Sequence, residues 1–282
     1  MLFAGTELAA RIERAESQML IDAADAIARC GRDVIVRPIA GGVATYTGPN
    51  SPLNKLAGLG FGGPVDESAL QKIEALWAER KTVVQAEVSC LADSQVGTLL
   101  TRRGYELRGF EHVLGLSLVP GDARAALDKE SDIVVTTSGD HELALWIDTV
   151  VTGFLTPDTQ GAAAHESFAR DVMEQVIGDM ADTRGMVRFL ARQGGTVIGG
   201  ASMRMFDGVA QLSGAATLPA YRRRGAQTAM LRTRLAEAVR AGCDLATVIT
   251  LPGSKSHENA QRRGFELLYT RAVLVREGKG GG

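Results

Sequence analysis

Three consecutive arginines, Arg222, Arg223 and Arg224, run directly into Gly225-Ala226-Gln227-Thr228, and a helical pattern follows. The first turn of a helix has backbone N–H groups without intrahelical partners. It also carries the positive end of the helix dipole, equivalent to roughly half a charge. A phosphate set there accepts several N–H hydrogen bonds at once. Gly225 has no Cβ, so the main chain can come close to such an anion. Guanidinium forks on either side add charge and paired hydrogen bonds to phosphate oxygens. The anion this junction suits is a phosphate or pyrophosphate.

Other chemistries find little support. His141, His165 and His257 are each followed by Glu, but none continues as His-Glu-x-x-His, and no metal is expected. There is no Gly-x-Ser-x-Gly elbow, no Gly-x-x-x-x-Gly-Lys-Ser/Thr phosphate loop and no dinucleotide glycine spacing after a strand. Cys30, Cys90 and Cys243 are odd in number and widely spaced, which fits a reducing cytoplasm better than a disulfide framework. The opening MLFAGTELAARIERAE places charges too early for a signal-peptide core, and no stretch reaches the roughly 20 apolar residues of a membrane span. With a net charge of −2 and a pI near 6.1, the chain lacks the broad basic excess of a nucleic-acid or membrane binder. The arginine triplet is a local feature.

The elements around it set its context. Residues 209–219, VAQLSGAATLP, read as a strand stopped by Pro219. From Gly225 to Ala241 a helix is predicted, with Leu231, Leu235, Ala238 and Val239 on one face. Upstream, residues 133–139 read as a strand, residues 140–154 as a helix with Asp140 as its cap, and residues 165–182 as a second helix. A hairpin is expected to turn at Gly194-Gly195. Downstream come a strand through DLATVITL, a short helix from Ser254 to Arg263, and a last strand through FELLYTRAVLVRE.

The chain also repeats itself. LTRRGYELRGFEHVL, residues 100–114, matches AQRRGFELLYTRAVL, residues 260–274, at a displacement of 160 residues. The displacement holds upstream, pairing Ala86 with Ala246, Val88 with Val248, Leu91 with Leu251 and Ser94 with Ser254. With a two-residue adjustment, IAGGVA (39–44) lies over VIGGAS (197–202). Two similar domains are therefore expected, 1–122 and 133–282, joined by a charged linker at 123–132. The fold class is α+β, an α/β sandwich in which each half has a mixed, mostly antiparallel sheet flanked by helices.

With these elements in order, RRRGAQTAML resembles the acyl-CoA-binding segment of the GNAT acyltransferase superfamily, Arg/Gln-x-x-Gly-x-Gly/Ala. Arg222 and Gly225 match; Gln227 stands where Gly or Ala is usual, and the loop survives that change if Gln227 is ordinarily helical. The resemblance covers about residues 133–276. It implies acetyl-CoA or a related acyl-CoA as co-substrate, with pyrophosphate on the amides of Arg223, Arg224, Gly225, Ala226, Gln227 and Thr228. It places the pantetheine arm along Ala216, Thr217 and Leu218, with Pro219 helping the strands splay, and sets Ser254, Ser256 and Asn259 beside the thioester.

The implied reaction is direct acyl transfer to an amine, with the Leu218 backbone N–H as oxyanion donor. The family's usual thiolate-protonating tyrosine falls on Ala260, and its usual glutamate is missing, since VAQLSGAATL holds no ionisable residue. His257, Asn259, Ser256 and Tyr269 are the candidate substitutes. Displacing the loop back by 160 residues lands on FGGPVDESAL, where Asp66 and Glu67 occupy the anion's place, so the first half is expected to keep the fold without the site. An N-acetyltransferase is the leading reading and a non-catalytic acyl-CoA sensor the alternative. Its partners are an amine acceptor and neither nucleic acid nor membrane, as a monomer or homodimer. Acceptor walls are expected from residues 152–167, where Phe154, Asp158 and His165 stand out, and from the first half.

Overall fold

The computed structural model describes residues 2–121, 132–156, 160 and 167–277; the expected linker lies almost wholly outside this range, as do Asp158 and His165. The first half forms helix α1 (Thr6–Arg29), strands β1 (Ile35–Ile39), β2 (Gly42–Tyr46) and β3 (Lys55–Ala57), helix α2 (Glu67–Glu79), strand β4 (Val84–Ser89), helix α3 (Ser94–Arg102) and strand β5 (Glu106–Ser117). The second forms strand β6 (Ile133–Thr137), helices α4 (Leu143–Phe154) and α5 (Arg170–Ala181), strands β7 (Met186–Gln193), β8 (Thr196–Phe206) and β9 (Val209–Thr217), helix α6 (Ala226–Arg240), strand β10 (Leu245–Thr250), helix α7 (Lys255–Arg262) and strand β11 (Glu266–Arg276). From β1 and from β7 onward the two halves run in the same order.

The repeat has a local physical cause. Gly104 and Gly264 follow α3 and α7 with φ of +86° and +88°, the left-handed conformation in which a helix commonly ends. The next residue, Tyr105 or Phe265, then turns into the core, each 3% exposed. In each copy of Arg-Arg-Gly-aromatic, the glycine thus ends a helix and the aromatic anchors it.

Among the described residues the eleven strands form one sheet, ordered β1-β2-β3-β4-β11-β5-β10-β9-β8-β7-β6. Its ladders are antiparallel except β3–β4 and β9–β10, as a mixed, mostly antiparallel sheet requires. Helices cover both faces. Along β7, Phe189 and Ala191 pack in the core beneath α6, while Leu190 between them packs with Trp146 and Val150 of α4.

The halves are not separate sheets. Strand β5 pairs with β10 (Leu245 opposite Ser117, Thr250 opposite His112), and β11 pairs with β4 (Arg271 opposite Ser89, Arg276 opposite Val84). Each half has given its last strand to the other, and β5 and β11 pair at the centre. The sequence boundary thus divides the chain but not its hydrogen-bonded sheet.

Two local expectations are corrected. Asp140 does not cap a helix with its side chain; it opens a short 3-10 turn and its carboxylate accepts from Arg188 at 2.6 Å. IAGGVA and VIGGAS are not equivalent either. The tight turns are Ala40-Gly41 and Gly194-Gly195, all at positive φ, whereas Gly199 and Gly200 lie inside β8. There a Cβ would come within 2.7 Å of Ala216 O and 2.8 Å of Val150 respectively. Glycine was matched to glycine across a turn and a packing contact.

Candidate functional site

The arginine loop leaves β9 through a 3-10 turn, Pro219–Tyr221, and enters α6. Gly225 is the N-cap, with φ +94°, and no side chain caps the helix. A second left-handed residue, Arg223 at φ +62°, makes the loop fold tightly ahead of it. The first-turn amides of α6 thus have no side-chain cap, and the residue that precedes them has no Cβ. Gln227 has no positive φ and lies within α6, so the departure from Gly or Ala does not disturb the turn. Its amide donates to Thr217 Oγ1 at 3.3 Å.

The three arginines differ. Arg223 and Arg224 are exposed, and the Arg224 guanidinium stands 5.3 Å above the Tyr221 ring. Arg222 turns back and donates to Thr217 O (3.4 Å), Gly153 O (3.3 Å), Thr156 O and Thr156 Oγ1 (3.1 Å). Its charged head holds the end of α4 against the loop. This differs from the expected fork onto phosphate. Arg263 of the repeat motif, missed in the sequence, donates to Thr228 Oγ1 at 2.6 Å and adds a cation beside the first turn of α6.

Beyond the loop the sheet opens. The parallel ladder between β9 and β10 joins only Val209–Gln211 to Leu245–Thr247. Strand β9 then bulges at Gly214, φ +62°, where a Cβ would meet Ser202 Oγ at 2.6 Å. The ladder with β10 ends at Gln211, before both the bulge at Gly214 and Pro219, so the opening does not begin at the proline. A cleft of about 1690 Å³ follows this notch. Its lining includes the predicted Ala216, Thr217, Arg222, Arg223, Gly225, Ala226, Gln227, Thr228, Ser254, Ser256 and Asn259, but neither Leu218 nor Arg224.

The catalytic expectations fare worse. The Leu218 N–H already donates to Ile198 O at 2.9 Å, so it is not an open oxyanion donor. His257 is buried away from the cleft: its Nδ1 accepts from Gly253 N at 3.1 Å and its ring meets His112 edge-on, centroids 4.9 Å apart. Helix α7 begins at Ser254, whose Oγ caps it by accepting from His257 N at 3.2 Å. Tyr269 points into the core and donates to Glu13 Oε1 at 2.8 Å. Cys243 is buried behind α6, as a core residue. Among the described residues no group of His, Cys, Asp or Glu is arranged to hold a metal ion, and no helix is long and apolar enough to cross a membrane.

The sequence reading missed helix α1. It walls the far end of the cleft with Ile12, Glu16 and Met19. Glu16 Oε2 accepts from Gln211 Nε2 at 3.1 Å, and Gln211 Oε1 in turn accepts from Arg204 at 2.9 Å, so the amide's orientation is fixed. Arg204 is neutralised by Asp22 at 2.5 Å. Burial pushes the Glu16 carboxyl up; Arg271 and Lys55 oppose that, and Glu87 and Glu13 add to it. The available signal was acidic residues on the buried face of an amphipathic helix, where Glu13, Glu16 and Asp22 lie among Ala9, Ile12 and Leu20. Charges on such a face are rarely idle.

Residues 154–265 match the model of the Acetyltransferase (GNAT) family. No curated protein matches the chain. Among solved structures, a GCN5-related N-acetyltransferase from Kribbella flavida is similar over 97% of this chain and 96% of its own, at 20% identity and a TM-score of 0.67. A tandem GNAT protein from the clavulanic acid biosynthesis pathway is similar over 88% and 85%, at 13% identity and a TM-score of 0.60. A GCN5-related N-acetyltransferase from Sphaerobacter thermophilus is similar over 85% and 73%, at 15% identity and a TM-score of 0.57. The second half of the chain, over residues 154–265, is thus a domain of the acetyltransferase (GNAT) family.

Proposed function

We propose that the cleft binds an acyl-CoA, acetyl-CoA foremost, and passes its acyl group directly to an amine. The observation that carries this reading is the uncapped start of α6 at Gly225, opening onto the notch between β9 and β10. Pyrophosphate suits the first-turn amides of α6 and the cations of Arg223, Arg224 and Arg263. An extended arm suits the strand edge at Ala216 and Thr217, with Ser256 and Asn259 across from it. The thioester supplies the activated acyl carbon. The amine nitrogen attacks it, the C–S bond breaks, and one amine proton ends on the thiolate.

In this reading residues 133–282 hold the co-substrate, and residues 1–122 close the acceptor end and bind no CoA. This reading includes a cytoplasmic location, where a CoA pool is present and unpaired cysteines are ordinary. The competing reading, a non-catalytic acyl-CoA sensor, draws on the engaged Leu218 amide and on Ala260 in the tyrosine's place.

Acetyl-CoA calorimetry on the intact chain and on Arg223→Ala/Arg224→Ala tests the site. One site is expected, about tenfold weaker in the double variant and more salt-sensitive in the wild type. Two sites would mean that the first half also binds, and no binding would remove the enzyme reading. Acceptor-dependent release of free CoA separates the enzyme from the sensor.

A further inference from the structure

Strand β9, along the cleft, holds no ionisable residue, yet among the described residues one buried carboxylate lines the cleft in contact with that strand. It is Glu16, and it comes from the other half of the chain. Its hydrogen bond to Gln211 falls at the last rung of the β9–β10 ladder, where the notch opens. Around it the cleft is lined by Ile12 and Met19 of α1, Met180 of α5, Met186 of β7 and Leu212 of β9. Methionines adapt to varied apolar shapes. Two cations also line this part of the cleft: Arg204, neutralised by Asp22, and Arg234, whose guanidinium donates to Ser202 O at 3.0 Å and Ser213 O at 3.3 Å.

Resting on the acyl-transfer reading, we propose that Glu16 is the general base of the reaction and that the acceptor is an amine carried on an apolar body. The acceptor arrives as an ammonium ion and pairs with the Glu16 carboxylate. Glu16 takes one proton and later releases it to solvent. The free amine attacks the thioester carbon, the C–S bond breaks, and the second proton of the original ammonium moves to the departing thiolate. The products are the amide and free CoA thiol, and no further reactant is needed.

The surroundings suit the role. Glu16 faces Glu13 of its own helix, Lys55 of β3, Glu87 of β4, Glu111 of β5 and Arg271 of β11. Glu111 is pushed up to about 7, by burial and by Glu87. Burial holds the Glu16 proton more tightly than water does, and a base of raised affinity is more effective near neutrality.

The test uses the full chain as wild type, Glu16→Gln, and Glu16→Gln/Gln211→Glu, which moves the carboxylate across the same hydrogen bond. Acetyl-CoA binding is measured by calorimetry and folding by circular dichroism. Acyl transfer is followed by thiol release on two panels: alkyl- and arylalkylamines of increasing length, and polyamines with amino sugars. Acetyl-CoA should bind all three proteins alike. Wild-type kcat/KM should rise along the apolar panel and with pH. Glu16→Gln should lose about 100-fold in kcat without a change in KM for acetyl-CoA, and should lose the rising pH limb. The double variant should recover at least tenfold, with a shifted limb.

A purely structural Glu16 would change melting temperature but leave kcat and its pH limb in place, which overturns the proposal. Preference for the polar panel, or no turnover of any amine by wild type that binds acetyl-CoA, overturns it too. If the wild type does not bind acetyl-CoA at all, the acyl-transfer reading itself falls and takes this proposal with it.

Discussion

Helices α2 and α6 start from equivalent places in the two halves, yet their first turns could hardly be more different. Asp66 caps α2, its carboxylate accepting from Ser68 N at 2.8 Å and Ala69 N at 3.4 Å. Gly225 begins α6 with no capping side chain at all. The first half supplies its own anion, while the second leaves its first-turn amides without a side-chain cap. The strands before the two helices differ in the same sense. After β3 the chain closes over: Gly60 N and Gly62 N donate to Ala40 O at 3.0 and 3.1 Å, and Asp93 N donates to Gly60 O at 3.2 Å. After the corresponding rungs, β9 parts from β10 and a cleft follows. On the proposed function, one fold keeps or loses an anion site through a cap residue and a loop path.

The contrast breaks most sharply if α6 is given the cap of α2. Gly225→Asp should weaken acetyl-CoA binding on the order of 100-fold, because a carboxylate would compete for the first-turn amides and repel the pyrophosphate. Gly225→Ala isolates the backbone effect. Its Cβ would meet nothing nearer than Ile133 Cδ1 at 3.9 Å, so only the left-handed strain remains, about 1–2 kcal/mol. Calorimetry should therefore rank wild type, then Gly225→Ala, then Gly225→Asp. Equal effects of Ala and Asp would mean that loop shape, not free amides, holds the anion.

Much of this contrast was readable from residue types. Gly225 against Val65-Asp66-Glu67, the proline after β9 and the Arg-Arg-Gly-aromatic repeat all act within a few residues of themselves, through torsion, capping or helix ending. What escaped reading depends on partners far along the chain. Arg222 looked like a phosphate ligand because its spacing is right, but its guanidinium is drawn to the carbonyls of Gly153 and Thr156. His257 looked like a catalytic substitute on a short polar helix, yet it packs on His112, a residue of the other half. Glu16 could not be placed at the site without knowing that α1 folds over the notch. The strand exchange was equally hidden, since β5 and β11 occupy equivalent places in the repeat and either could pair with β4 or β10.

That exchange has its own fastener. Glu74 of α2 accepts from Arg103 Nε at 3.0 Å and Nη2 at 2.5 Å, and pairs with Arg276 at the end of β11. The first half thereby grips the last strand of the second. Burial alone would raise the Glu74 carboxyl, but hydrogen bonds from Arg103 and Arg276 outweigh it and hold it below the usual glutamate range. A depressed carboxylate stabilises the fold above its unfolded pKa, and that contribution is lost as pH falls through the folded value. Glu74→Gln should cost about 2 kcal/mol at neutral pH, because both arginines are partly solvated. It should also flatten the acid limb of the stability curve below about pH 4.5. Denaturant titrations at several pH values read both effects, and the two proteins should converge in acid.

The smallest expected effect is the most instructive about the first half. Asp66→Ala removes the cap of α2 and should cost about 1 kcal/mol of stability. If the carboxylate alone kept acyl-CoA out, the variant would gain a second acetyl-CoA site, since its first-turn amides would then be as free as those of α6. We expect no gain. The path of residues 58–62 across Ala40 and Asp93 closes the place where a pantetheine arm would have to lie, and removing one carboxylate does not reopen it. A calorimetric stoichiometry of one in Asp66→Ala therefore separates two ways of losing a site, by occupying the anion cradle and by closing the strand edge. A stoichiometry of two would show that the cap alone kept the ligand out.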